Sequence, residues 1–315
     1  MKKSHKLTIK ILSGIFAFLL LIVYLLYGHI TFIKRTIITS AMTTLSHQWI
    51  AEILYSDDTI QKVMSENRIE FSDLKTDPSL IEIKQSDKDY ELIDISSKIF
   101  KGHLLKIYNP KTVELVCAEN LGERGEKLYE LLQKNNAVSG INASGFKDSS
   151  GHTKGGVPNG LIMVDGEIIF SEFDEYENII GLNKDGKLIL GSFKVSELKE
   201  NDIEDAIAFG PNLIVNGEKT KIFGDGGWGI APRTSIAQTK DGAILFLVID
   251  GRQLSSIGAT LKDVQEVLYE HGAYNAVNLD GGSSSILIHN NKTINNPCTT
   301  ITGRFLPTAF VVKEN

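Results

Sequence analysis

Asn275-Ala276-Val277-Asn278-Leu279-Asp280-Gly281-Gly282-Ser283-Ser284-Ser285 carries a short apolar run, through Val277 and Leu279, out to one carboxylate. The run reads as a strand. It ends where two glycines let the backbone turn sharply and approach a ligand closely. The serine hydroxyls and the adjoining backbone N–H groups suit a loop that holds an anionic oxygen. Asp280 in such a loop can act as acid, base or nucleophile. The same residues also suit a plain tight turn between strands. The company argues for chemistry: Pro232-Arg233-Thr234 and Asp250-Gly251-Arg252 lie upstream, and Arg304 lies downstream.

Working outward, short apolar runs alternate with turn signals from about Tyr90 to the end of the chain. Asp165-Gly166, Lys184-Asp185-Gly186, Asn216-Gly217 and Lys240-Asp241-Gly242 each follow or separate apolar runs. Four hairpin-type turns in succession predict antiparallel sheet. Strands are expected at 97–108, 112–117, 138–141, 161–164, 167–170, 179–183, 188–190, 213–215, 235–239, 243–249, 285–289 and 308–312. Two helices interrupt them. One covers Glu123–Lys134 with Leu128, Leu131 and Leu132 on a face. The other covers Thr260–His271, capped by Thr260 and ended by Gly272. The fold class is therefore α+β, mainly antiparallel sheet with a few packed helices.

The N-terminal part differs. From Ile9 to about Tyr27 the chain is almost wholly apolar, with Lys2, Lys3, Lys6 and Lys10 at its start and Lys34 and Arg35 beyond it. About 20 such residues span a bilayer. The heavier basic end belongs in the cytoplasm, so the remainder is expected outside the cell membrane. A cleaved signal peptide would have a shorter apolar core ending at small residues, so an uncleaved anchor is preferred. Residues 31–70 show helical spacing through Met42, Leu45, Trp49, Ile50, Leu54, Ile60 and Val63, and form either a stalk or a layer on the domain. Residues 73–88 read as a linker. The expected organisation is 1–30 tail and transmembrane anchor, 31–88 helical stalk and linker, and 89–315 the globular domain.

The whole chain has 315 residues and a net charge of −6, and no basic block suits nucleic acid. Its two cysteines, Cys117 and Cys298, fit no metal-ligand or disulfide pattern. No cofactor and no metal are expected. A carboxylate-rich, glycine-rich loop is compatible with calcium, but none follows EF-hand spacing. His152, in a polar glycine-rich loop, reads as a solvated histidine or an acid, without a second ligand at zinc spacing.

Each candidate site residue carries two readings. Asn142, Ser144 and Gly145, in Asn142-Ala143-Ser144-Gly145-Phe146, bind a sugar hydroxyl or phosphate, or form a structural turn. Arg233, beside Thr234, offers a fork that matches phosphate oxygens, or a surface ion pair. Asp250 ends the most apolar strand as Asp280 ends another. Neighbouring strands would bring the two carboxylates together, as two-carboxylate glycosidic cleavage requires. Otherwise Asp250 pairs with Arg252 and closes a turn. Trp228, in Gly224-Asp225-Gly226-Gly227-Trp228-Gly229, stacks on a sugar or covers the core.

In order and spacing, these motifs resemble the phosphodiester glycosidases, the family of the uncovering enzyme. The resemblance runs from about Ser97 to Val312. It is carried by Asn142–Phe146, Ala231–Ser235, Asp250-Gly251-Arg252, the helix after Gly258, Asn278–Ser285, and Arg304 with Pro307. Two departures are small-for-small: Asn-Ala-Ser-Gly-Phe stands where many members have Asn-Gly-Gly-Phe, and Asp-Gly-Gly-Ser where many have a third glycine. The anchor and helical region look like bacterial members associated with exopolysaccharide biosynthesis.

The resemblance implies hydrolysis of a sugar-1-phosphodiester in a cell-envelope or exopolysaccharide glycopolymer. Arg233 and Arg304 would hold the phosphate with N–H groups near Gly281 and Gly282, and Thr234, Arg252, Ser283 and Ser284 would line the site. Asp280 would be base or nucleophile with Asp250 as its partner. The rival is a non-catalytic module that binds a glycopolymer or serves envelope assembly. Oligomeric state is not legible in the residues.

Overall fold

The computed structural model describes residues 2–28, 31–44, 47–70, 74–147, 154–172 and 175–314, without the side chains of 2–9 and 26. Expectations that fell on Leu45, Asp73 and His152 lie outside these residues.

Among the described residues, three antiparallel sheets surround one core. The largest has seven strands in the order β1 (Tyr90–Asp94), β2 (Gly102–Ile107), β13 (Ile244–Ile249), β12 (Arg233–Thr239), β14 (Ala273–Asn278), β10 (Asn212–Val215) and β11 (Glu218–Lys219). A second runs β16 (Lys292–Thr293), β15 (Leu287–His289), β4 (Ala137–Asn142), β17 (Thr308–Lys313) and β3 (Val113–Cys117). The third runs β6 (Glu167–Ser171), β5 (Leu161–Val164), β9 (Asp205–Ala208), β7 (Glu177–Leu182) and β8 (Leu188–Phe193). All three send side chains into a common centre, including Phe246, Ile236, Phe310, Ile141, Ile207 and Ile180. β13 is apolar at every position because both of its faces are buried.

The sheets' outer faces are covered too. α6 (Leu261–Glu270) lays Leu261, Val264 and Leu268 on the largest sheet. Its start is fixed by a reciprocal cap, in which Thr260 Oγ1 accepts from Asp263 N at 3.2 Å and Asp263 Oδ2 accepts from Thr260 N at 2.8 Å. α5 (Leu128–Lys134) packs Leu128, Leu131 and Leu132 on the second sheet. The helix expected from Glu123 begins later because Gly125 and Glu126 run against the chain at Leu306. A Cβ at Gly125 would lie 2.5 Å from the Leu306 carbonyl, and Glu126 and Leu306 exchange two backbone hydrogen bonds. All four glycine turns named above make the hairpins expected of them.

The N-terminal part consists of α1 (Lys2–Tyr27), α2 (Thr31–Met42), α3 (Trp49–Leu54) and α4 (Asp57–Glu66). The last three share a small core of Ile38, Ala41, Ala51, Tyr55 and Ile60. Among the described residues no helix is long and apolar enough to cross a membrane. The transmembrane span expected at 9–27 is therefore not shown. α2 lies against the domain. Thr39 Oγ1 donates to Asp225 Oδ2 at 2.7 Å, and Ile230 N donates to Ser40 Oγ at 3.1 Å. Residues 74–84 form a strap over the sheets, with Thr76 N on Leu190 O at 2.8 Å and Glu82 N on Lys240 O at 3.1 Å.

Candidate active site

Antiparallel pairing brings the motifs to one place. Arg233 pairs with Ile249 and Ser235 with Asn278, so β12 begins where β13 and β14 end. Arg233, Asp250 and Asp280 thus all emerge at one end of the largest sheet. The end of β4 meets them from the second sheet through Asn142.

Asn142 is fully buried and joins three segments. Its Nδ2 donates to the Asp280 carbonyl at 2.6 Å, and its Oδ1 accepts from Thr234 Oγ1 at 2.8 Å and Ile286 N at 3.2 Å. Asp280 N donates to Ala143 O at 3.2 Å. Asn142 and Thr234 therefore form the floor that fixes the backbone of Asp280. Their polar groups are bonded to one another, to the Asp280 carbonyl and to Ile286 N. Asp280 itself is half-buried at the surface of this floor.

The loop after Asp280 is shaped for close approach. Gly282 has φ +60°, and its N–H donates to Pro232 O at 2.9 Å. That N–H is thus unavailable to a phosphate, contrary to expectation. Ser284 is buried, and its N–H goes to Gly281 O at 3.1 Å. Gly281 and Ser283 are half-exposed, and among the described residues no acceptor meets their N–H groups.

The arginines divide. Arg252 is exposed and sits in the left-handed region at φ +59°. Its guanidinium lies over Gly282, where a Cβ would meet Nη2 at 3.3 Å. Arg304 Nη1 donates to Ser283 Oγ at 3.1 Å, and its guanidinium stacks 4.8 Å from the Phe146 ring centre. Arg233, by contrast, is buried and holds carbonyls: Nε bonds Ala259 O at 2.9 Å, and Nη2 bonds Trp228 O at 2.9 Å and Gly229 O at 2.7 Å. Burial pushes its pKa down to about 10, with Asp225 opposing. It is a strut for the glycine-rich loop, because buried carbonyls there need donors. Trp228, half-buried on the α6 core, covers that core.

Asp250 is also taken up within the protein. Its Oδ1 accepts from Asn295 Nδ2 at 3.0 Å and Asn296 N at 2.9 Å, and its Oδ2 from Asn296 N at 3.1 Å. Burial raises its pKa, while those two asparagines oppose the shift. Asp250 braces the 295–296 turn and pairs with neither Arg252 nor Asp280 in these bonds. Ser144 is likewise committed, with Oγ and N both on Thr308 Oγ1 at 2.7 and 2.9 Å. Gly145 is glycine because the Phe209 ring would lie 2.8 Å from a Cβ.

Asn295, Asn296 and Thr308 escaped the sequence reading. Asn295-Asn296-Pro297 is a turn signal that could have marked the first two. Cys298 was visible but unplaced; its Sγ lies 3.8 Å from Gly282 O. Cys117 and Cys298 are free thiols. Among the described residues no group of three or more His, Cys, Asp or Glu is placed to hold a metal.

These features define an α+β protein whose strand-end loop follows one carboxylate, with Arg252 against Gly282 and Arg304 on Ser283. A family model described as Phosphodiester glycosidase matches residues 135–313, more than half of the chain. The chain belongs to that family. The SPbeta prophage-derived uncharacterized protein YomE of Bacillus subtilis is 28% identical over 182 residues, 54% of this chain and 27% of its own length. The chain thus spans about a quarter of that curated relative. The solved zebrafish N-acetylglucosamine-1-phosphodiester alpha-N-acetylglucosaminidase catalytic domain, auto-inhibited by its pro-peptide, superposes with TM-score 0.60 at 21% identity, over 75% of this chain and 87% of that one. A hypothetical protein from Synechocystis gives 0.50 at 17% identity, over 71% and 61%. These likenesses concern the fold.

Proposed function

We propose that the protein hydrolyses a sugar-1-phosphodiester at the anomeric carbon–oxygen bond, in a glycopolymer outside the cytoplasm. The carrying observation is Asp280 on its Asn142 floor, followed by a glycine loop that Arg252 meets at Gly282 and Arg304 meets at Ser283. Water forms the new bond to the anomeric carbon and gives its proton to Asp280. The electron pair of the breaking bond leaves on the phosphate oxygen. A phosphate departs without much help from an acid, so one carboxylate suffices where ordinary glycosides need two. Arg252, Arg304 and the N–H groups of Gly281 and Ser283 stabilise the charge on the leaving phosphate. Asp250 is a positioning residue.

The commitment of Asp250 to Asn295 and Asn296 gives the non-catalytic reading its one favouring observation, because it removes the second carboxylate. Turnover decides. With a panel of sugar-1-phosphodiesters, wild type is expected to release free sugar, with labelled water entering the sugar, and Asp280→Asn to release none. Binding without release by a folded wild type would sink the hydrolase reading. Equal release by Asp280→Asn would sink the role of Asp280.

We place the domain outside the membrane. The exposed apolar side chains of α1, among them Phe16 at 63% and Phe18 at 62%, support lipid contact. Protease digestion of intact cells tests this: an external domain is cut, an internal one is spared.

A further inference from the structure

We propose that α2 positions the loop after Asp280. Thr39 is the positioning residue: through Asp225 and the glycine-rich loop 224–229 it holds the Pro232-Arg233 segment on which Gly281 and Gly282 rest. Its effect on turnover rests on the phosphodiester reading, since residues 281–283 are the loop assigned there to the leaving phosphate.

The glycine-rich loop is the face on which the N-terminal helices dock. Residues 67–70, at the end of α4, run against 221–223: Glu70 N donates to Lys221 O at 3.0 Å and Phe223 N to Arg68 O at 2.9 Å. A Cβ at Gly227 would lie 2.5 Å from Asn67 O, and one at Gly229 would lie 2.6 Å from both Ser40 N and Ser40 Cα. Both glycines have positive φ, +76° and +58°. A side chain at either would collide with the helical unit, so close backbone approach accounts for these two glycines.

Asp225 fastens the contact and is 4% exposed. Its Oδ2 accepts from Thr39 Oγ1 at 2.7 Å and its Oδ1 from Gly227 N at 3.0 Å. A buried carboxylate needs such donors, or a cation near it. The cation is Arg233, whose pKa falls through burial while the charge of Asp225 opposes the fall. Arg233 holds the Trp228 and Gly229 carbonyls from within, and Ser40 Oγ accepts from Ile230 N at 3.1 Å on the helical side. The loop is thus pinned between α2 and Arg233.

The Pro232-Arg233 segment also carries the candidate site. Gly282 N donates to Pro232 O at 2.9 Å. A Cβ at Gly281 would lie 2.8 Å from that carbonyl and 3.8 Å from Arg233 Cα. A shift of Pro232 O therefore passes to Gly282 through one hydrogen bond. The Gly281 and Ser283 N–H groups take their direction from this seat, and donors stabilise a developing charge only when they are already aimed at it.

The test is hydrogen exchange on the full chain, read at the Gly282 and Ser284 amides against those of β17 in the second sheet. Thr39→Val keeps the side-chain shape and removes the donor. It should speed exchange at Gly282 and Ser284 at least about tenfold more than at β17. Thr39→Ser, which keeps the hydroxyl, should exchange as wild type does. Ser40→Ala, which strands the Ile230 N–H, should act like Thr39→Val. On a sugar-1-phosphodiester, Thr39→Val should lower kcat about tenfold with KM within about twofold of wild type, because the lost donors act in the transition state. Unchanged exchange at Gly282 in Thr39→Val, equal speeding at β17, an unaltered kcat, or failure of Thr39→Ser to behave as wild type would overturn the proposal. Absence of turnover by wild type with the exchange effect intact would instead remove the hydrolase reading and leave the coupling of α2 to the loop standing.

Discussion

Two arginines one strand-end apart do opposite work, and substitution separates them. Arg252 is exposed and bonds nothing through its guanidinium in the hydrogen bonds described above. Arg252→Ala should change stability by less than about 0.5 kcal/mol and lower kcat/KM by roughly a hundredfold. Arg233→Ala should do the reverse of the first: three buried carbonyls lose donors, at a cost of about 3 kcal/mol or more in urea unfolding. Equal loss of stability in the two variants would contradict the division. Asn142→Ala strands Thr234, Ile286 and the Asp280 carbonyl together. It should cost about 3 kcal/mol and also impair turnover, since Asp280 loses its floor. From residue types alone the three could not be ranked. An arginine in Ala-Pro-Arg-Thr-Ser suits a phosphate or a carbonyl equally, and only the fold decides which lies within reach.

Among the elements, those with a local signature were legible and those defined by distant partners were not. The glycine turns at Asp165, Asp185, Asn216 and Asp241 declared their hairpins because positive φ needs such residues. α6 declared itself through its cap and apolar face. The first turns expected of α5 failed because a remote strand entry at Leu306 competes for the backbone of Glu126. β9 (Asp205–Ala208) went unread although all four residues are buried, because a short run headed by a carboxylate does not look like a central strand. That carboxylate joins two sheets: Asp205 Oδ2 accepts Leu115 N at 2.8 Å and Oδ1 accepts Asp165 N at 3.1 Å. Burial raises its pKa to about 6 from 3.8, with the two N–H groups opposing. The folded state therefore binds the proton more tightly than the unfolded chain. Its contribution is full below about pH 4 and is lost as pH rises through 6. The stability difference between wild type and Asp205→Asn should shift by about 2 kcal/mol between pH 4 and 7, with wild type relatively better at the acid end. A flat difference across that range would refute the assignment.

For the molecule as a whole, the N-terminal helices and strap belong to the folded body. Thr39 and Ser40 cover the Asp225–Ile230 loop, and the 74–84 strap bonds strands from two sheets. A piece beginning at residue 89 should melt at least about 5 °C below one beginning at residue 31, as read by calorimetry. Matching melting temperatures would show that the contacts add nothing.

The placement of β17 has a consequence for the order of events in folding. The second sheet is built around it: Thr308 pairs with Cys117 on one side and Ala309 with Asn142 on the other. β3 and β4 therefore wait for a strand that leaves the ribosome almost the whole domain later. Contacts of such long sequence separation make folding slow. The sheet that carries Asn142 is complete only after synthesis has passed Lys313, so an incomplete chain carries every motif of the site on an unfinished frame.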